Sequence, residues 1–361
     1  MTKPGSRREQ FELLAALVTG AGPSRDADWG SEHLWQQLVP LAEMHRVTAA
    51  LPAGLRRLGV TDQAPSQLTE FLTTLHALNT ERNQALRRQC RELVDLLQGA
   101  EIRVLPLKGM AYELMGLYAE DPGGRMTIDI DLLVPGQDAS RAQGTLISAG
   151  YRPLADYEVS RDYHHNYPRL ISGPGSDAPG SIEVHFRMGR QATDKVLPSH
   201  RVLSGANRMT VDGDRMEIPN TLDLLDHAVM HSAVGHVHAA RRTLRLRDVC
   251  DIYRLWQRAK SEGAHITDLR CMQHTTAARY FGACVLLHGE RPDVLGALET
   301  PSKSFLRQIL ARQNILERVA LETALVINGA LLFQNPSRFV SKIFRRTFYR
   351  AALSVAKSRP V

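Results

Sequence analysis

Apolar positions recur at helical spacing through the first hundred residues. Leu34, Leu38, Leu41 and Ala42 fall on one face, as do Leu86, Cys90, Leu93, Val94 and Leu97 between polar residues such as Arg87, Arg88 and Glu92. Pro23, Gly54, Gly59 and Pro65 punctuate these predicted helices. The period changes after Gly99, where Ile102, Val104, Leu105 and Leu107 form a short apolar run before Lys108-Gly109 and a helical stretch from Met110 to about Tyr118. This reads as strand, turn and helix. Past the turn-rich Asp121-Pro122-Gly123-Gly124, the segment Thr127 to Val134 alternates carboxylate and aliphatic side chains and stops at Pro135-Gly136, which predicts a strand. A helix is expected from Ala139 to Ala149, ending at Gly150. Strands over Asn166 to Ile171 and Ser181 to Arg187, joined by the Gly/Pro/Ser-rich stretch Ser172 to Gly180, predict a hairpin with a long loop. From Pro219 the pattern is helical again, with Leu222, Leu225, Ala228 and Val229 on one side. The chain therefore divides into a helical region (1–98), an α/β core (99–215), a second helical region (216–300) and a helical tail (301–361).

Composition sharpens this division. Hydrophobic residues at 43% and charged residues at 23% suit a globular chain that buries a real core. The net charge of +7 would suggest a nucleic-acid partner if it were spread evenly. It is not: residues 301–361 hold eleven Lys/Arg and two Asp/Glu, leaving 34 basic and 36 acidic residues before them. In that tail Phe339, Val340, Ile343, Phe344, Thr347 and Phe348 form an apolar stripe if helical, with Arg338, Lys342, Arg345, Arg346 and Arg350 beside it. Such a helix can pack on its own domain, or make a peripheral membrane or protein contact; no nucleic-acid reading motif accompanies it. The four scattered cysteines form no CxxC pair and predict reduced thiols. No uncharged run approaches the roughly 18 residues that span a bilayer, so a cytoplasmic protein is expected.

The candidate chemistry centres on Thr127-Ile128-Asp129-Ile130-Asp131-Leu132-Leu133-Val134. On a strand Asp129 and Asp131 share one face, about 7 Å apart, while Ile128, Ile130 and Leu132 take the other. Two like charges in an apolar strand call for a cation between them, and a hard divalent ion such as Mg²⁺ is the natural one. Glu183, in Ile182-Glu183-Val184-His185-Phe186, offers a third acid. Three carboxylates could hold two Mg²⁺ ions and align a hydroxyl with a triphosphate. The competing reading is an edge strand with solvated acids. Lys108-Gly109 shifts the balance, because a glycine at a strand-to-helix turn allows close approach of a phosphate and the lysine adds charge.

Leu107-Lys108-Gly109, Tyr118, Asp121-Pro122, Arg125, Asp129-Ile130-Asp131-Leu132-Leu133-Val134 and Glu183-Val184-His185 together resemble an uncharacterised bacterial nucleotidyltransferase family of the polymerase-beta-like superfamily. Asp28-Trp29 and His45-Arg46-Val47 are similar to that family's N-terminal helices, and Pro219 through His231 to Arg245 and Asp251 to its C-terminal part. The resemblance spans roughly residues 11 to 260. It implies an α+β fold, a small mixed sheet with helices on one side and helical regions before and after it. Asp129, Asp131 and Glu183 would be metal ligands, with Glu183 also helping to deprotonate the attacking hydroxyl. Lys108, Gly109 and Arg125 would contact nucleotide, and His231, Arg245 and Asp251 would face the acceptor.

His227 and His231, four apart with Asp223 before them and His236 and His238 after, also match a transition-metal spacing of the HD-type phosphohydrolase kind. Packed or hydrogen-bonded histidines on a helix are the commoner origin of that pattern. Two functional classes follow. One is an Mg²⁺-dependent nucleotidyltransferase acting on an NTP and a small-molecule, peptide or protein acceptor; the other is a non-catalytic module that keeps the fold for binding.

Overall fold

The structure is a computed structural model that describes residues 6–21, 27–154, 159, 164–173, 178–236, 238–290 and 292–311. The tail stripe from Arg338 to Arg350 lies outside them. Four helices open the chain: α1 (Arg7–Thr19), α2 (Glu32–Met44), α3 (Leu51–Leu58) and the 34-residue α4 (Ser66–Gly99). There follow β1 (Leu105–Leu107), α5 (Lys108–Leu114), β2 (Asp129–Leu133), α6 (Ala139–Ser148), β3 (Arg152–Pro153), β4 (Leu170–Ile171) and β5 (Ser181–His185). Next come α7 (Gln191–Val196), α8 (Ser199–Ser204) and the hairpin β6 (Asn207–Val211) and β7 (Asp214–Ile218). The chain continues through α9 (Thr221–Met230), a π-helical turn (His231–Gly235), α10 (His238–Arg241), α11 (Leu246–Ser261) and α12 (Thr275–Leu287). Residues 299–311 are helical. Among the described residues no helix is long and apolar enough to cross a membrane.

Five strands form one mixed sheet in the order β1-β2-β5-β4-β3, and only β2 and β5 run parallel. The expected α+β class, a mixed sheet flanked by two helical regions, is what the chain adopts. Alternation along β2 splits its faces: Ile130 and Leu132 enter the main core with Ile182 and Val184, and Leu133 packs on the other face with Leu105, Leu107, Leu197 and Val202. Short α7 and α8 thus cover the second face as well, which the expected one-sided arrangement did not include.

Two larger cores flank this sheet. Phe11, Leu14, Trp29, Trp35 and Leu38 build an N-terminal one, where the Trp35 indole N–H donates to the Trp29 carbonyl at 2.8 Å. The other joins the sheet to α4, α6, α9, α11 and α12. Helix α4 belongs to both, since Leu68, Phe71, Leu72 and Leu75 enter the first and Leu86, Cys90, Leu93, Val94 and Leu97 the second. Its polar middle does different work. Asn79 donates to the carbonyls of Gly123 and Arg125, Asn83 to those of Pro122 and Arg125, and Arg82 to those of Thr127 and Ile128. These bonds supply the backbone partners of the segment entering β2, and so fix Arg125 and Asp129 in space.

Candidate active site

The parallel register of β2 and β5 sets Asp131 directly opposite Glu183, and Asp129 opposite Ser181. Because side chains alternate, Asp129, Asp131, Glu183 and His185 emerge on the same side of the sheet. Asp131 is buried and accepts at one oxygen from Lys108 Nζ at 2.7 Å and from His185 Nε2 at 2.8 Å. His185 Nε2 also lies 3.5 Å from Glu183 Oε2. Arg169, at the edge of β4, donates from Nε to Glu183 at 2.8 Å and from Nη2 to Asp129 at 3.2 Å. Three acids are thus faced by three basic groups.

Charge follows geometry. Burial alone would raise the Asp131 carboxyl, but the Lys108 ammonium and the His185 hydrogen bond hold it well below the usual carboxylate range. Burial and the neighbouring Asp131 raise Asp129. For Glu183, the His185 hydrogen bond outweighs burial and lowers it. Burial and Lys108 oppose protonation of His185, yet its bonds to Asp131 and Glu183 raise it above an ordinary imidazole.

Lys108 and Gly109 sit where β1 meets α5, as the sequence pattern predicts. Lys108 takes the left-handed backbone, at φ 49°. Gly109 is needed for packing: a Cβ there would come 2.5 Å from Arg125 Nη1. Arg125 cannot yield, because it is buried and pairs with Asp251 through Nε and Nη2, both at 2.8 Å, and donates from Nη1 to Thr127 Oγ1 at 2.8 Å. Tyr118 donates to the same carboxylate at 2.5 Å. Three of the guanidinium's five N–H groups are used in this way.

The acids floor a cleft whose walls include Lys108, Arg125, His227, His231, Arg247 and Asp251. Of the residues predicted from sequence, Lys108, Gly109, Arg125, Asp129, Asp131, His231 and Asp251 line it. Glu183 is not in that lining; it stands opposite Asp131 on β5, bonded to Arg169 and 3.5 Å from His185. Arg245 precedes α11 as its cap, and does not line the cleft. His227 and His231 have ring centres 5.7 Å apart, and burial keeps both neutral, His227 down to about 3.

A carboxylate-rich set of this kind suits a hard divalent cation. Asp131, Glu183 and His185 each offer a ligand atom within 4.8 Å of the others. Among the described residues that is the tight grouping; Asp129 stands beside it, linked through Arg169. His185 and Arg169 were not picked out as site residues from sequence. The first follows from counting two residues on from Glu183 along a strand; the second, 40 positions from Asp129 in the chain, carries no local signal.

A mixed sheet that brings paired acids to the floor of a basic-walled cleft is a nucleotidyltransferase-like architecture with a candidate metal-binding cluster. A family model described as "Uncharacterised nucleotidyltransferase" matches residues 31–286, well over half of the 361-residue chain, and the chain belongs to that family, within the polymerase-beta-like superfamily. A comparison with curated proteins gives no match.

Proposed function

We propose that the chain is an Mg²⁺-dependent nucleotidyltransferase that moves a nucleoside monophosphate from an NTP to a hydroxyl or similar group of a small-molecule, peptide or protein acceptor. The observation that carries this reading is the β2–β5 register, which puts Asp131 against Glu183 with Asp129 on the same face. Asp129, Asp131 and Glu183 would hold the metal, two ions in the full reading, and bound Mg²⁺ supplies charge neutralisation at the phosphates. The acceptor oxygen attacks the α-phosphorus, the α–β phosphoanhydride bond breaks and pyrophosphate leaves. Glu183, lowered and ionised, takes the hydroxyl proton. Lys108 offers its ammonium to the triphosphate beside Asp131, and Arg125, on the wall of the cleft, would contact the nucleotide. His231 and Asp251, on the wall of the acid cleft, would meet the reacting end of the acceptor, with Arg245 at the start of α11 as a further candidate contact.

One observation favours the second reading, a non-catalytic binding module. Lys108, His185 and Arg169 each pair with one or more of the acids, as a purely structural charge cluster would. Calorimetry with each of the four NTPs, with and without Mg²⁺, separates the two. The transferase reading expects Mg²⁺-dependent binding of at least one NTP, weakened by at least about tenfold in Asp129→Asn, or about 1.4 kcal/mol. A folded protein that binds no NTP would favour the module.

A further inference from the structure

Arg125 and Arg247 line a second groove as well as the acid cleft, so the two spaces adjoin. This groove lies between the N-terminal helices and α11 and encloses about 1760 Å³, counting the part open to solvent. Its walls carry Arg46, Arg57, Arg247 and Arg254 against Glu120 and Asp121, and Arg247 pairs through Nε and Nη2 with one oxygen of Asp248, at 3.1 and 3.0 Å, which leaves the N–H groups of Nη1 for a ligand. Asp121 is already paired, 2.6 Å from His76. Arg57 and Arg254 are anchored by main-chain carbonyls, those of Leu17 at 3.0 Å and Leu117 at 3.2 Å, which leave their charge unneutralised.

Arg46 stands apart. Among the described residues its side chain, half-buried, has no hydrogen bond or ion pair. Its backbone is left-handed, φ 56°, in the turn that ends α2: the Arg46 N–H donates to Glu43 and the Val47 N–H to Ala42. Glycine is the usual residue in that conformation, and a bulky side chain costs about 1–2 kcal/mol there. The turn is also tied to the start of α11. The Arg247 N–H donates to the His45 carbonyl and the Leu246 N–H to His45 Nδ1, both at 3.3 Å, which brings the Arg46 turn to Arg247. Burial, then repulsion from Arg247 and Arg245, pulls the Arg46 guanidinium down to about 10 against the attraction of Asp248 and Asp129.

We infer that this groove is the acceptor subsite, and that it takes a small hydroxyl-bearing acceptor by a phosphate or carboxylate group held between Arg46 and Arg247. The inference rests on the transferase reading for the word acceptor, and on the arginines alone for the anion. The chain's own basic C-terminal segment, eleven Lys/Arg against two Asp/Glu, has the wrong sign to fill it.

The test uses the full chain without Mg²⁺ and titrates inorganic phosphate and acetate at constant ionic strength, read by calorimetry on wild type, Arg46→Gln and Arg247→Gln. Saturable binding of one anion, weakened at least about tenfold by each substitution in proteins whose circular dichroism is unchanged, is the expected result. The tighter of the two anions identifies the acceptor's charged group. The inference is overturned if wild type binds neither anion, if both variants bind as wild type does, or if an NTP displaces the anion stoichiometrically, which would assign the arginines to the nucleotide. Arg46-dependent anion binding in a protein that binds no NTP would remove the transferase reading and leave the anion site. NTP binding without anion binding would do the reverse.

Discussion

The N-terminal helical core and the cleft are held together by different physics. In the first, Phe11, Trp35 and Leu38 belong to an apolar cluster drawn mostly from the first 75 residues and contribute by removing apolar area from water. In the second, Arg125 meets Asp251 across 126 positions, and Asp131 meets His185 across 54. Apolar packing degrades by degrees when a side chain is trimmed. A buried charge pair, by contrast, turns costly once one partner is removed, because the other charge stays behind without water. The site is therefore the less forgiving of the two regions.

The largest expected effect tests that asymmetry. Asp251→Ala, which strands the buried Arg125, should destabilise the fold by about 3–5 kcal/mol in urea unfolding. Replacing both partners, Arg125→Met with Asp251→Leu, should recover most of the loss; equal instability of the double variant would refute the account. Leu38→Ala in the N-terminal core should cost about 2–5 kcal/mol through the cavity it leaves, with no dependence on salt. A strong salt dependence there would erase the contrast.

A subtler effect sits on α5. Glu113 is buried beneath the cleft with one oxygen lacking a partner, and burial, opposed by Arg125 and Arg87, raises it from 4.5 to about 7. Its carboxyl binds a proton more tightly folded than unfolded, so its contribution to stability falls as pH rises from about 4.5 to 7 and then levels off. Glu113→Gln should therefore be the more stable protein at pH 8, by up to about 3 kcal/mol, with the advantage gone at pH 4. A pH-independent difference between the two melting curves would contradict this. The smallest effect belongs to the exposed Arg8–Glu12 pair, 2.9 Å apart on α1, where Glu12→Ala should change stability by less than about 0.5 kcal/mol.

Legibility in the sequence divides along similar lines. The long helices and the Asp129-to-Leu133 strand follow from local period, and the acid pair is readable because alternation alone puts both residues on one face. The β6–β7 hairpin carries its own signal: Asp212-Gly213, both with positive φ, is a favoured two-residue turn between strands. Asn166 to Ile171 shortens to a two-residue strand plus a single bridge from Asn166 to His185, and between them stands Pro168, which has no N–H to give to a ladder. What no local pattern contains is the pairing of Arg169 with two acids, or of Arg125 with Asp251. Arg125 reads from sequence as a ligand contact because its partner Asp251 is 126 positions away in the chain. Asn79 and Asn83 were hidden for another reason: polar residues on the inner face of α4 look like errors of amphipathicity until the loop they hold is seen.

Helix α4 also bears on how the molecule comes apart. Its first half is planted in one core, its second half in the other, and at about 1.5 Å per residue its 34 residues reach some 50 Å. Losing either core would free one end of a rod whose middle grips the segment entering β2. The two regions, so different in what stabilises them, should accordingly melt together: a single calorimetric transition, and amide exchange in the middle of α4 as slow as in the centre of β2.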